Sequence, residues 1–106
     1  MANDFGYENA MARMLDQVLN PGDMVIVISS SGNSLNMQNA AAVSKSRDAF
    51  ILTLSGFSPN NPLRSLGDIN LWLDSSDYGF VEIGHQFILH NLADRFNDKL
   101  KDSFNV

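Results

Sequence analysis

The run Met24-Val25-Ile26-Val27-Ile28 constrains this chain more than any other stretch. Five consecutive apolar residues, four of them β-branched, leave no polar side chain for solvent on either face. The run therefore reads as a strand covered on both sides, as in a parallel sheet. A polar loop, Ser29-Ser30-Ser31-Gly32-Asn33-Ser34, and an alanine-rich helical segment from Leu35 to Arg47 follow it. Ala49-Phe50-Ile51-Leu52-Thr53-Leu54 then repeats the buried-strand pattern. Strand, loop, helix and strand make a βαβ unit, for which a right-handed crossover is expected.

The flanking segments extend this layout. From Tyr7 to Leu19 the residues Ala10, Met11, Met14, Leu15 and Val18 recur at steps of three and four, which predicts a helix with one buried stripe. Asn20-Pro21-Gly22-Asp23 ends it in a turn. Ser55 to Asn61 is a turn-rich loop, and Pro62 can open a short helix that runs to Gly67. Ile69-Asn70-Leu71-Trp72-Leu73 alternates and predicts a third strand nearer an edge. Phe80 to about Lys101 is the longest helix, apolar nearly all round to Leu92 and amphipathic beyond it. Such a helix is expected to be buried for half its length, in the core or against another subunit. No internal repeat, low-complexity tract or linker divides the chain. The expected fold is α/β, a three-layer sandwich with a parallel sheet flanked by helices, in a single domain over residues 1–106.

With 106 residues the core is modest, and a partner subunit is the natural way to enlarge it. Seven Lys plus Arg against 12 Asp plus Glu give a net charge of -5 with no basic tract, which argues against a nucleic-acid partner. The absence of cysteine excludes a disulfide scaffold, a thiolate zinc site and a cysteine nucleophile, and fits a reducing compartment. No apolar run approaches the roughly 18 residues of a membrane span, and the opening Met1-Ala2-Asn3-Asp4-Phe5 has no signal-peptide character. A soluble, cytoplasmic protein with no membrane partner is expected.

The serine loop carries the chemistry. In open α/β sheets ligands sit at the carboxyl ends of the strands, where the loop after Ile28 is placed. Serine hydroxyls and the free N–H groups that open the Leu35 helix can converge on one phosphate, with the helix dipole adding positive potential. Gly32 permits the backbone geometry that turns several N–H groups inward. The same residues also suit a turn followed by a helix cap. A cap uses one serine, however, and the loop has four. GxxxxGK[ST], GxGxxG and GxSxG are all absent, so no nucleotide cofactor or hydrolase serine is indicated.

Ile28-Ser29-Ser30-Ser31-Gly32-Asn33-Ser34, preceded by Pro21-Gly22-Asp23, resembles the signature of sugar isomerase (SIS) domains. Within that family the chain most resembles the phosphoheptose isomerases. Asn3-Asp4-Phe5-Gly6-Tyr7, Leu52-Thr53-Leu54-Ser55-Gly56, and His85 with His90 agree with that branch. The resemblance implies an SIS-type, flavodoxin-like sandwich. It places phosphosugar contacts on Asn3, Asp4, Ser29, Ser30, Ser31 and Ser34, and metal or acid–base positions on Glu82 and His90, with zinc as the candidate metal. Glu82 stands where many relatives have glutamine. Family members also carry an N-terminal helix, a first strand with a GNGGS-like loop and a helix with the catalytic glutamate ahead of the Asn-Asp-Phe-Gly-Tyr stretch. The chain therefore looks like the C-terminal half of the domain.

Ketose–aldose isomerisation moves a proton between adjacent carbons and needs a base at carbon and an acid at the carbonyl oxygen. Histidine suits such a role, and the resemblance assigns it to His90. On a helix His85 lies about 140° round from His90, so the two do not face one site and His85 reads as structural. Glu82, Gln86 and His90 follow at four-residue steps along one stripe. Glu82 and His90 are nevertheless about 12 Å apart along the axis, far for two ligands of one zinc ion. A first-turn acid balancing the helix dipole is the plain alternative for Glu82.

Two functions are open at this point. One is a phosphosugar isomerase, with sedoheptulose 7-phosphate as the implied substrate and cell-surface (lipopolysaccharide) heptose synthesis as the implied pathway. The other is a non-catalytic SIS module that binds a phosphosugar or serves in assembly. Either is expected to be a homodimer or homotetramer, and without the upstream glutamate the chain alone is expected to be inactive or nearly so.

Overall fold

The computed structural model describes residues 9–104, and their side chains to residue 100. Seven elements follow in order: α1 (Ala10–Val18), β1 (Met24–Ile28), α2 (Leu35–Ser46), β2 (Phe50–Ser55), a 3-10 turn (Pro62–Ser65), β3 (Ile69–Trp72) and α3 (Tyr78–Phe104). The first positions of the helix expected from Tyr7 lie outside the described residues. All three strands are parallel in the order β1-β2-β3, with Met24 opposite Phe50, Ile28 opposite Leu54 and Leu52 opposite Ile69. The expected parallel α/β layout is what the chain adopts.

Side chains alternate across a strand, so this register sorts the sheet into two faces. One face is closed. There Val27, Ile51, Ala41 of α2 and Leu63 of the 3-10 turn form the buried core, with Val25 and Met37 packed on it. Ala40, Ala41 and Ser44 are buried on α2, and these short side chains let the helix lie close to the strands. Ser44 donates its hydroxyl to Ala40 O at 2.7 Å and so buries no unpaired oxygen.

The other face is only partly covered. Leu52 and Leu54 of β2 are buried, but Met24, Ile26 and Ile28 of β1 stay exposed, as do Phe50, Ile69 and Leu71. Coverage on both sides, expected for β1, holds instead for the central strand β2. The reason is position: β1 is an edge strand, and α3 meets the sheet mainly at β2.

Two expectations of helix burial are likewise corrected. Along α3 the buried side chains among the described residues are Val81 and His85, while Ile83 and Phe87 are 70% and 71% exposed. The helix meets the end of β2 through Val81 and His85, and most of its apolar surface beyond them stays outside this chain's core. It also starts at Tyr78 rather than Phe80, because Asp77 caps it by accepting from Phe80 N (3.2 Å) and Val81 N (2.9 Å). In α1 no residue is fully buried, and Met14 and Val18 are exposed. That helix packs mainly on α2, tied by Met11 N donating to Asn36 Oδ1. No helix among the described residues is long and apolar enough to cross a membrane.

Candidate functional site

The serine loop leaves β1 at its carboxyl end. Ser29 continues the ladder, with its N–H donating to Leu54 O at 3.0 Å, and it is buried. Its hydroxyl oxygen accepts from Gly32 N at 3.1 Å. Ser31 Oγ accepts from Asn33 N, and Ser34 Oγ accepts from Met37 N at 3.3 Å as the N-cap of α2. In each case the serine uses a lone pair and keeps its own hydrogen to donate. Among the described residues, no hydrogen bond occupies the backbone N–H groups of Ser30, Ser31, Ser34, Leu35 and Asn36. Free N–H groups at the head of a 12-residue helix, with serine hydroxyls beside them, are the kind of donors that an anion accepts from. The capping and phosphate readings of this loop are therefore compatible: accepting from the backbone shapes it, and the unused hydrogens and N–H groups supply donors.

Gly32 has φ +72°, the left-handed region that favours glycine. A Cβ on Gly32 would collide with Oδ1 and Cγ of Asn61. Gly32 O in turn accepts from Leu63 N at 3.2 Å. The loop after β2 thus lies directly against the serine loop. Gly56 closes the same junction, since a Cβ there would come within 2.8 Å of Val81 Cγ2 and 3.1 Å of Ser30 O.

From the other side α3 completes an open cleft of about 480 Å³ lined by Ile28, Ser30, Glu82, His85, Gln86 and Leu89. The four helical residues follow at steps of three, one and three, which is one helical face. His85 is 3% exposed, and its Nε2 lies 2.9 Å from Ser55 O. A carbonyl oxygen can only accept, so Nε2 carries the hydrogen and Nδ1 is left without a partner. Its ring pins α3 to the end of β2. Among the described residues no Lys or Arg lines the cleft, and Glu82 is the charged group that does.

The sequence-derived site residues thus separate into groups. Ser30 and Glu82 share the cleft, and Ser31 and Ser34 lie on the same loop as Ser30. Ser29 is buried and shapes the loop. His90 is exposed and does not line the cleft with Glu82. Asn3 and Asp4 lie outside the described residues. Among the described residues no three His, Asp or Glu side chains come together as a metal ion requires. Asn61 was not singled out by the sequence reading, although Asn before Pro at the head of a short helix is the signal of a cap.

No protein-family model matches the chain. A phosphoheptose isomerase of Helicobacter hepaticus is 32% identical over 106 residues, which is 100% of this chain and 54% of that protein. Another from Trichlorobacter lovleyi is 35% identical over 94 residues, 89% of this chain and 47% of that protein. Among solved structures, a phosphoheptose isomerase from Francisella tularensis superposes with a TM-score of 0.81 at 25% identity, covering 88% of this chain and 50% of that one. The enzyme of the same name from Neisseria gonorrhoeae gives 0.78 at 24% identity and supports the fold. In sequence and fold the chain is similar to phosphoheptose isomerases, and it spans about half the length of the curated relatives it matches.

Proposed function

We propose that the chain binds a phosphorylated sugar, with the phosphate on the serine loop and the sugar in the cleft beside α3, and that it forms the phosphate-holding part of a ketose–aldose isomerase. The single observation that carries this reading is the set of N–H groups of Ser30, Ser31, Ser34, Leu35 and Asn36, unoccupied among the described residues, at the carboxyl edge of a parallel sheet. The names of the matched relatives suggest sedoheptulose 7-phosphate as substrate. In this reading Ser30, Ser31 and Ser34 donate to phosphate oxygens, while Ser29 holds Gly32. Asn3 and Asp4 are proposed as further sugar contacts.

Isomerisation moves a proton between neighbouring carbons through an enediol, and each proton transfer needs a group within hydrogen-bond reach. Glu82, on the cleft, and His90, one turn beyond Gln86, are the proposed acid–base groups of this chain. The described residues do not form a zinc site, since Glu82 and His90 do not share the cleft and no third ligand joins them. The reading includes a homodimer or homotetramer, supported by the exposed Phe80, Ile83 and Phe87 on α3, and a cytoplasmic setting, supported by the absence of cysteine.

A second reading, a phosphosugar-binding module without catalysis, is favoured by the separation of His90 from the cleft that Glu82 lines. Calorimetric titration with sedoheptulose 7-phosphate and with the unphosphorylated sugar, alongside a turnover assay, tests both. Binding that requires the phosphate and weakens in Ser31→Ala and Ser34→Ala supports a phosphosugar site. Turnover that appears when a GNGGS-bearing N-terminal segment is added back, and is lost on Glu82→Gln, selects the isomerase, and binding with no turnover even after that addition selects the module. Equal binding of both sugars overturns the proposal.

A further inference from the structure

We propose that Asn61 is the positioning residue of the anion-binding loop: it touches no substrate, but its side chain fixes Gly32 and thereby the direction of the N–H groups from Ser30 to Asn36. This inference rests on the phosphate reading above and adds to it the residue that sets the cradle's shape.

Asn61 is 5% exposed, and its side chain is fully engaged. Its Nδ2 donates to Ser55 Oγ (3.1 Å), Gly56 O (3.0 Å) and Ser58 O (3.0 Å). Two hydrogens serve three acceptors, so one of them is shared. Its Oδ1 accepts from Arg64 N at 2.9 Å and caps the 3-10 turn that Pro62 opens. One amide therefore joins the end of β2, the loop behind it and the next helical turn. This amide cannot rotate without leaving the buried groups it serves unpaired.

That fixed amide occupies the space a side chain at residue 32 would need. Gly32 is held from both directions. Its N–H is kept by Ser29 Oγ (3.1 Å) and Ser29 O (3.0 Å), and its carbonyl by Leu63 N of the turn that Asn61 caps. The left-handed turn at Gly32 separates Ser30 and Ser31 from Ser34 and the head of α2. Its φ angle decides whether the N–H groups on either side point at one centre. Ser29 sets this turn from inside the loop, and Asn61 sets it from outside.

The test uses the whole chain and inorganic phosphate as probe. Phosphate affinity is measured by calorimetry for the wild type, Asn61→Ala, Asn61→Ser and Ser44→Ala, each at a temperature where circular dichroism shows it folded. Ser44 is equally buried on α2, and its replacement lowers stability without touching the loop. Asn61→Ala is expected to weaken phosphate binding about tenfold to a hundredfold, the equivalent of one charge-assisted hydrogen bond misdirected. Asn61→Ser keeps an oxygen able to cap Arg64 N but lacks the three donations, and it is expected to bind as weakly as Asn61→Ala, which keeps the test open should the alanine variant not fold. Ser44→Ala is expected to bind phosphate as the wild type does, although it melts earlier. Wild-type affinity in folded Asn61→Ala or Asn61→Ser overturns the positioning role and leaves the phosphate reading standing. A wild type that binds no phosphate overturns both.

Discussion

Replacing Gly32 by alanine perturbs the site at its most crowded point, and two separable costs follow. The first is conformational: at φ +72° an L-residue with a Cβ loses about 1–2 kcal/mol. The second is steric, because the new Cβ lands on the Asn61 side chain, which four hydrogen bonds hold in place. Overpacking of this kind costs about 1–3 kcal/mol more. A domain of this size has about 5–15 kcal/mol of total stability, so the variant should remain folded but be clearly weakened. Urea unfolding followed by the fluorescence of Trp72, the only tryptophan, measures the change. The worst of the steric part comes from Oδ1 and Cγ of Asn61, so in an Asn61→Ala background, which keeps a Cβ 2.7 Å from the new one, Gly32→Ala should cost less than in the wild type, a coupling of about 1–2 kcal/mol. A Gly32→Ala variant within about 0.5 kcal/mol of wild type, or strict additivity with Asn61→Ala, would refute the packing described here.

Other substitutions probe other parts of the account. Ser34→Ala removes the cap on Met37 N and should cost about 1 kcal/mol in urea unfolding while also weakening phosphate binding. Ile26→Lys adds a charge on the uncovered sheet face and should change the stability of the monomer by no more than about 0.5 kcal/mol, whereas Leu54→Ala on the covered part of that face should cost about 2–5 kcal/mol. An equal loss for the two would show that the Ile26 face is not open. His85→Ala removes the bond to Ser55 O and should raise amide exchange around Val81 to Leu89, while protection in β2 persists.

Much of this fold was legible because hydrophobic period and turn chemistry agree along most of the chain. The β-branched runs placed β1 and β2, alternation placed β3 at an edge, and Ser34 announced the head of α2. Burial was less legible. A continuous apolar run says that a strand can be covered on both faces, not that its own chain does so, and Met24, Ile26 and Ile28 remain exposed on an edge strand. The apolar surface of α3 misled in the same way, since periodicity cannot say which contacts lie within one chain. In the loop after β1 the sequence shows four serines, but not that Ser29 Oγ accepts from Gly32 N while Ser31 and Ser34 accept from Asn33 N and Met37 N. Asn61 escaped notice because its role comes from a tertiary contact with Gly32, 29 positions away, which no local pattern encodes. The paired histidines were visible, yet only the packing of α3 on β2 shows that His85 binds a carbonyl while His90 stays exposed.

The central claim is that the head of α2 and the serine loop hold a phosphate. Titrating isotope-labelled protein with sedoheptulose 7-phosphate, while following every backbone amide by nuclear magnetic resonance, tests it residue by residue. The largest shifts are expected at the N–H groups of Ser30, Ser31, Ser34, Leu35 and Asn36, which carry no hydrogen bond in the free chain, with smaller shifts at Glu82 and Gln86 across the cleft. Saturable shifts centred elsewhere, with these five amides unmoved, would contradict it.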